Sequence, residues 1–394
     1  MPHMSNVIGF FEKLESRDIT VHQHRCVRVR NRNATCARCA EACTSGCISY
    51  GDNELLIAPE KCIGCGTCAT VCPTCALEAH RPNDAELLQT CLRALEATDG
   101  ESIIACERVL EAARGLFDPE KVVSVRCLGR VEESLLVELA LAGAARITLV
   151  RGVCEECPER TGIETAELTT RTAATLLDTW NLPIPVGVFR KFPNAARKGD
   201  EAGYDAARRR FFASMKDEAA DVAKVTASYA VEQQLDAKRS EPPKYLKVMA
   251  DGTLPHFIPD RRERLLNALA ELGEPRDELI ETRLWGHVII DSTLCSSCRM
   301  CATFCPTGAI AKFDDADGTM GIEHFPGDCV KCRCCEDICR EGALTLSDEV
   351  FAVDLLSGAV ERYEMAPAER GLTEPHSVLR SMKSLIGIEQ IYER

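Results

Sequence analysis

The sequence lacks a long, uninterrupted apolar run. Its most apolar long stretch, residues 135–150, is broken by Glu138 and Arg146, and it is shorter than the roughly 20 residues that a helix needs to span a bilayer. Residues 1–10 also lack a basic segment followed by an apolar one, which a signal peptide would have. We therefore predict a soluble chain without direct membrane insertion.

Basic charge is scarce as well. The chain has 47 Lys and Arg residues against 61 Asp and Glu residues, which gives a formal net charge of −14. Because nucleic acids are held mainly through Lys and Arg contacts with their phosphates, we expect no nucleic acid partner. An acidic chain favours instead a partner protein with a basic docking face.

Motifs for nucleotide binding and for nucleophilic catalysis are also missing. Gly64-x-Gly66 lies inside a cysteine-rich loop and not at a turn from a strand to a helix, so it is not a dinucleotide fingerprint. The chain has neither a phosphate-binding loop nor a nucleophile elbow. The sequence therefore offers no recognisable site for a flavin, a nicotinamide or a substrate, and we assign no catalytic residue.

Cysteine, in contrast, is abundant, with 24 residues. In bacterial two-cluster ferredoxins, three cysteines of a Cys-x2-Cys-x2-Cys-x3-Cys run bind one [4Fe–4S] cluster, and the fourth binds the partner cluster. Three regular runs have this spacing: Cys62-Cys65-Cys68-Cys72, Cys295-Cys298-Cys301-Cys305 and Cys329-Cys332-Cys335-Cys339. The two ends of the chain thus resemble such ferredoxins, which implies two clusters at each end and four in all.

For the C-terminal pair of runs, only one assignment of ligands to clusters follows, because the fourth cysteine of each run binds the cluster of the other run. Cys305 therefore joins cysteines 329, 332 and 335, and Cys339 joins cysteines 295, 298 and 301. The two predicted ligand sets are Cys305, Cys329, Cys332 and Cys335 (set III), and Cys295, Cys298, Cys301 and Cys339 (set IV).

The first N-terminal run is irregular, and its register decides the ligands. Alignment with the regular runs places Asn33 where the first ligand belongs, so a substitute thiolate is needed, and Cys26 is the best placed. The predicted sets are then Cys26, Cys36, Cys39 and Cys72 (set I), and Cys43, Cys62, Cys65 and Cys68 (set II). A rival assignment takes Cys36, Cys39, Cys43 and Cys47 as the run. It leaves three residues between the second and third cysteines, where the regular run has two, so we favour Cys26 and keep Cys47 as the alternative.

Two other uses of cysteine compete with iron–sulfur clusters. Structural zinc sites use two Cys-x2-Cys pairs separated by a long spacer, whereas these runs place four thiolates close together. A disulfide framework belongs to secreted chains, and free cysteines at this density indicate a reducing compartment. We therefore predict an oxygen-sensitive, cytoplasmic iron–sulfur protein.

Between the cysteine-rich ends, predicted strands alternate with predicted helices. Such alternation is typical of a parallel, doubly wound sheet of the flavodoxin type. The predicted strands are 102–106, 122–127, 146–150 and 184–189. The predicted helices between them are 131–143 and 164–180.

Four further cysteines follow the predicted central strands. Because an open parallel sheet binds its ligands at the carboxyl ends of its strands, we expect Cys106, Cys127, Cys154 and Cys157 to converge at one site. Three interpretations stay open. The four thiols hold a further cluster of the [2Fe–2S] type, or Cys154 and Cys157 form a redox-active dithiol, or all four are inert, as buried cysteines often are.

Part of this central region resembles a known family. Val125-Arg-Cys127-Leu-Gly-Arg130 and Gly152-Val-Cys154-Glu-Glu-Cys157 are similar to segments of the delta (iron–sulfur) subunit of methyl-viologen-reducing hydrogenases, within residues 101–180. The resemblance implies a [2Fe–2S] cluster in the central domain. It also implies that the domain passes electrons to a heterodisulfide reductase.

The predicted fold class is α+β ferredoxin-like modules at both ends with a central α/β flavodoxin-like parallel-sheet domain. The linker should contain helices at 204–235 and 261–272, and the tail should begin with a hairpin at 350–362. The predicted domains are an N-terminal two-cluster ferredoxin-like module (1–98), a central α/β hydrogenase-delta-like domain (99–190), a helical linker region (191–284), a C-terminal two-cluster ferredoxin-like module (285–350) and a C-terminal tail (351–394).

These features together predict an electron-transfer subunit of a larger cytoplasmic oxidoreductase complex. It would carry electrons through four [4Fe–4S] clusters and a further centre in the middle domain, and it would not itself convert a substrate. Its partners would be redox protein subunits of a hydrogenase, formate dehydrogenase or heterodisulfide-reductase-like complex. Two alternatives remain: a thiol or disulfide reductase that uses the four central cysteines, and a redox-sensing scaffold whose clusters control binding.

Overall fold

The structure, a computed structural model, describes residues 18–51, 53–197, 247–248, 253–366 and 392–393. The helix predicted at 204–235 lies outside these residues. The strands are β1 Ile19–Val21, β2 Ile48–Gly51, β3 Glu54–Ile57, β4 Leu77–Ala79, β5 Glu101–Cys106, β6 Val123–Val125, β7 Arg146–Val150, β8 Val186–Phe189, β9 Lys247–Val248, β10 Leu279–Glu281, β11 His287–Ile290, β12 Ile310–Asp314, β13 Met320–His324, β14 Leu344–Ser347, β15 Glu349–Phe351, β16 Glu361–Met365 and β17 Tyr392–Glu393. The helices are α1 Val27–Arg30, α2 Arg38–Glu41, α3 Thr67–Val71, α4 Asp84–Glu96, α5 Glu107–Ala112, α6 Glu133–Leu141, α7 Gly162–Thr179, α8 Asp260–Leu272, α9 Met300–Phe304 and α10 Cys334–Ile338. In this described part of the chain, no helix has both the length and the apolar character needed to cross a bilayer.

The N-terminal ferredoxin-like module is built on two small antiparallel strand pairs. β1 pairs with β4, and β2 pairs with β3. The short helices α1, α2 and α3 each contain a cysteine or directly follow one. Ile19, Leu55 and Leu77 are buried together with several thiols in one core. Cysteine side chains therefore form a large part of this core.

The central domain contains a parallel sheet in the order β6-β5-β7-β8. Ile103 and Ile104 are adjacent in β5, and both are fully buried, as expected for a strand that is covered on both faces. The predicted parallel α/β sheet is confirmed, with strand ends shifted by a few residues. Because β5 lies between β6 and β7, the strand order reverses at β5, which is where ligands bind in open sheets of this kind.

The C-terminal ferredoxin-like module has a similar plan with added strands. β11 pairs with β14 around α9 and α10, and β12, β13 and β16 form an antiparallel sheet. The hairpin predicted at 350–362 is wrong, because β15 pairs with β10 and β16 pairs with β13. A 3-10 turn, Ala352–Leu355, buries Ala352 and Leu355 and redirects the chain between these strands.

Helix α8, in the predicted linker region, joins the central domain to the C-terminal module. Its Leu265 and Leu269 pack in one core with Trp180 of the central domain and with Trp285 and Val350. Both tryptophans are almost completely buried. Burial of large side chains on this scale is among the main favourable terms in folding. The described part of the linker region is therefore a packed element and not a loose spacer.

Candidate iron–sulfur sites

The four thiols of set I lie together in the N-terminal module. Burial raises the pKa of Cys39 to about 12, with contributions from the nearby thiols of Cys72, Cys26 and Cys36. Burial likewise raises the pKa of Cys26 to about 11, with contributions from Cys72 and Cys36. Like charges shift each other's pKa only when they are close. Cys26 is thus placed among the thiols with which the sequence grouped it.

Set II has a fifth thiol beside its four predicted members. Burial raises the pKa of Cys68 well above its ordinary value, and Cys65, Cys62 and Cys43 of set II add to the shift, as does Cys39 of the neighbouring set I. The Sγ atom of Cys47 lies 3.4 Å from that of Cys43, and hydrogen bonds with Cys43 and Cys62 raise the pKa of Cys47. The structure therefore places Cys47 beside set II and not beside set I.

In the C-terminal module, thiols that influence one another's pKa lie in two groups. In set III, burial raises the pKa of Cys335 well above its ordinary value, and Cys332, Cys329 and Cys305 contribute. In set IV, burial raises the pKa of Cys301 to about 12, with contributions from the other three members: Cys298, Cys295 and Cys339. Cys298 is exposed, whereas the other members are at least partly covered. Set IV is therefore the C-terminal set that reaches the surface.

Sets I and III meet across a direct contact between the two ferredoxin-like modules. Cys36 and Cys332 both pack against a small apolar cluster formed by Val27, Ala34, Leu254, Phe304, Cys334 and Ile338. The backbone N–H of Thr35 donates to Asp337 Oδ2 at 2.7 Å. Burial raises the pKa of Cys334 to about 12, and thiols of both sets, Cys305 and Cys36, contribute. Cys334 therefore lies between the two sets.

Set II faces the central domain. Burial raises the pKa of Cys127 to about 12, and Cys65 contributes to the shift. The hydroxyl of Thr70, which follows Cys68 on α3, donates to the backbone oxygen of Arg130 at 3.1 Å. A Cβ atom on Gly129 would lie only 2.4 Å from Thr67 Oγ1 and 2.8 Å from the Cα of Gly162. The loop of set II thus packs closely against the carboxyl end of the central sheet.

We expect Gly129→Ala to disturb this contact. The added methyl group would overlap both neighbours, and overpacking of this kind typically costs about 1–3 kcal/mol. Gly152→Ala is the matched control, because its Cβ would meet nothing closer than 3.8 Å. Urea unfolding should show a lower free energy of unfolding for Gly129→Ala and little change for Gly152→Ala. Equal stability of the two variants would argue against close packing here.

The four central cysteines follow strand ends, and the contacts among the described residues join them in two pairs. The predicted convergence of all four at one site stays a prediction. The Cys157 thiol donates to Glu159 Oε2 at 2.8 Å, and the Cys127 thiol lies 3.8 Å from the backbone oxygen of Glu159. Burial raises the pKa of Cys154, and Cys106 contributes to that shift. The pairs are therefore Cys127 with Cys157 and Cys106 with Cys154.

Glu159 is a site residue that the sequence did not reveal. Its side chain is only 6% exposed, and it forms ion pairs with Arg108 at 3.5 Å and Arg126 at 3.7 Å. A buried carboxylate is stable only when it is paired in this way. No motif signals such a carboxylate, since its burial depends on three separate segments that meet at the sheet end.

Sequence comparisons identify the two terminal regions. Residues 55–78 and 288–311 match the family model of the 4Fe-4S binding domain. Both segments are ferredoxin-type 4Fe-4S domains. The first contains Cys62, Cys65, Cys68 and Cys72, and the second contains Cys295, Cys298, Cys301 and Cys305.

Curated relatives are similar only to short parts of the chain. The chain is 44% identical over 41 residues to "Ferredoxin 7Fe" of Hydrogenibacillus schlegelii, which is 10% of the chain and 53% of the relative. It is 38% identical over 48 residues to "Ferredoxin-1" of Caulobacter vibrioides, which is 12% of the chain and 42% of the relative. The chain thus spans about half the length of these relatives. No solved structure matches, and the matched domains lie outside 99–190, so the resemblance to the hydrogenase delta subunit stays a prediction.

The residues present fit iron–sulfur clusters. Each set offers four thiols, which is the usual ligand number of a [4Fe–4S] cluster. Beside set III, buried guanidinium nitrogens of Arg30 and Arg262 lack a hydrogen-bond partner among the described residues, as would suit a nearby anionic group. Within those residues, no three His, Cys, Asp or Glu side chains are grouped to hold a single metal ion.

Proposed function

We propose that the chain is an electron-transfer subunit of a cytoplasmic redox complex and binds four [4Fe–4S] clusters, one on each of sets I to IV. The observation that carries this proposal is the continuous order of the cysteine groups: the central thiols adjoin set II, set II shares a module with set I, and set I meets set III across the module contact. The rate of electron transfer falls steeply with the distance between redox centres, so a series of adjacent clusters supports transfer over a long distance.

The two ends of this series suggest where electrons enter and leave. At one end, Cys298 of set IV is exposed, so a redox partner with a basic docking face can approach that cluster closely. At the other end lie the four central cysteines, on which we propose a further [2Fe–2S] centre. The partner would be a subunit of a hydrogenase, formate dehydrogenase or heterodisulfide-reductase-like complex.

Iron analysis tests this proposal directly. After anaerobic expression, we expect about 18 irons and 18 acid-labile sulfides per chain, from four [4Fe–4S] clusters and one [2Fe–2S] cluster. EPR of the dithionite-reduced protein should show interacting [4Fe–4S] centres, because neighbouring paramagnets couple. Fewer than about 12 irons in a fully reconstituted sample, or bound zinc in their place, would contradict the proposal.

A second function is favoured by one contact. Glu159 accepts a hydrogen bond from the Cys157 thiol at 2.8 Å. Burial and this contact raise the pKa of Cys157, so Glu159 would act as a general base that takes the thiol proton during attack on a disulfide. The chain would then be a thiol or disulfide reductase whose central dithiol is supplied with electrons by set II. In that case the protein would contain about 16 irons, and its central thiols would react with alkylating reagents.

A further inference from the structure

Two buried arginines near set III lack the usual carboxylate partner. Arg30 is 2% exposed and Arg262 is 7% exposed. Arg30 donates only to backbone oxygens, those of His24 at 3.3 Å and Pro255 at 2.9 Å. Among the described residues, neither guanidinium has a carboxylate at ion-pair distance, and Arg30 Nε and Arg262 Nη1 have no hydrogen-bond partner at all.

Other buried or partly buried arginines nearby are paired with carboxylates, whereas these two are not paired within the described part of the chain. Arg130 and Arg261 both pair with Asp84, at 2.5 Å and 2.8 Å, and Arg283 pairs with Glu133 at 2.6 Å. Arginine stays charged in proteins, and a buried charge without a counter-charge is strongly destabilising. The unpaired state of Arg30 and Arg262 therefore calls for another source of negative charge.

That source is suggested by which thiols each arginine approaches. Pro255, whose backbone oxygen accepts from Arg30, precedes His256, and His256 Nδ1 lies 3.1 Å from the backbone oxygen of Cys305. Arg262 lines a cavity together with Val330, which follows Cys329. The charge of Arg30 interacts first with Cys334, which lies beside set III, and then with Cys305 and Cys332. That of Arg262 interacts first with Cys329 and then with Cys75, Glu133 and Asp328. Cys305, Cys329 and Cys332 are members of set III. Arg30 approaches from α1 of the N-terminal module and Arg262 from α8. Both elements are far from set III in sequence.

We propose that Arg30 and Arg262 are the counter-charges of the [4Fe–4S] cluster on set III and raise its reduction potential. The inference rests on the proposed function, since it requires a cluster there. A cluster held by four thiolates is anionic, and each added electron makes it more so, so fixed positive charge in a low-dielectric interior favours the reduced state. The cluster at the contact between the two modules is thereby easier to reduce than it would be without the two arginines.

Neutral variants test this role through a potential and not through activity. In Arg30→Gln and Arg262→Gln the charge is removed while a hydrogen-bond donor is kept. In an EPR-monitored redox titration, the reduction potential of one [4Fe–4S] centre should fall by at least about 59 mV. For a one-electron couple, this corresponds to a tenfold lower ratio of reduced to oxidised form at a fixed potential. The other centres should shift much less.

Arg264→Gln is the matched control, because Arg264 lies on the same helix but donates to Glu138 Oε1 at 3.1 Å. The cluster potentials of Arg264→Gln should equal those of the unmodified chain. If the potentials of Arg30→Gln and Arg262→Gln also equal those of the unmodified chain, the proposal is overturned. If the Gln variants lose iron, Arg30→Lys and Arg262→Lys are the deciding variants, because they keep the positive charge. Four retained clusters at native potentials in the Lys variants support the counter-charge role. Loss of iron in the Lys variants as well would show that the arginines act through packing and would overturn the proposal. Failure of the proposed function is distinguishable, since the unmodified chain itself would then lack the four clusters.

Discussion

Replacement of Cys26 by alanine should remove one [4Fe–4S] cluster, whereas the same replacement of Cys47 should leave all four in place. Cys26 lies among Cys36, Cys39 and Cys72, which provide only three thiolates without it. A [4Fe–4S] cluster with three cysteine ligands readily loses the unligated iron, so we expect iron per chain to fall by about one, with a [3Fe–4S] EPR signal, or by about four where the damaged cluster is lost completely. Because metal binding is coupled to folding, thermal stability should fall as well.

The position of Cys47 makes it the matched control. Cys47 is buried to a similar degree as Cys26, with 5% and 8% exposure, but it contacts Cys43 and Cys62 of set II, which has four thiols without it. Iron analysis and EPR of both variants, reconstituted side by side, measure the difference. A loss of one or four irons in Cys47→Ala, with full iron in Cys26→Ala, would show that the rival assignment is correct.

The comparison with the sequence shows which features depend on local patterns. The strand at 146–150 forms as predicted, because an apolar run between helical segments is sufficient to specify a buried parallel strand. The thiols of set III lie close together in the structure, as do those of set IV, and the regular spacing of these runs is a local property of the cysteine loop. Whether these thiols bind clusters is a separate question, which iron analysis answers.

Features that depend on docking could not be predicted. Arg38 donates to the backbone oxygen of Lys331 at 2.8 Å, and the two residues are 293 positions apart. No local sequence pattern predicts that contact. The same holds for Arg30, which appears in sequence only as one of several arginines near Cys26. The domain order suggested a central domain between two separate ferredoxin ends. In the structure the two ends touch, so sets I and III are neighbours.

Replacement of Cys157 by alanine distinguishes the three interpretations of the central cysteines, and we expect it to remove about two irons and a [2Fe–2S] EPR signal while about 16 irons remain. The reason is that Cys157 forms one of two thiol pairs at the end of the parallel sheet, and a [2Fe–2S] cluster takes two thiolates on each iron. Cys91→Ala is the control, because Cys91 is a fully buried core thiol in the same region.

Each other outcome of the Cys157→Ala experiment has a definite meaning. If all iron is retained but reduction of a small disulfide is lost, Cys157 is a redox-active thiol and Glu159 its base, as the 2.8 Å contact allows. If neither iron nor disulfide reduction changes relative to Cys91→Ala, the central thiols are packing residues. The relay would then end at set II, whose Cys65 contributes to the raised pKa of Cys127. The central sheet would in that case serve to hold the loop of set II through Gly129 and Thr70.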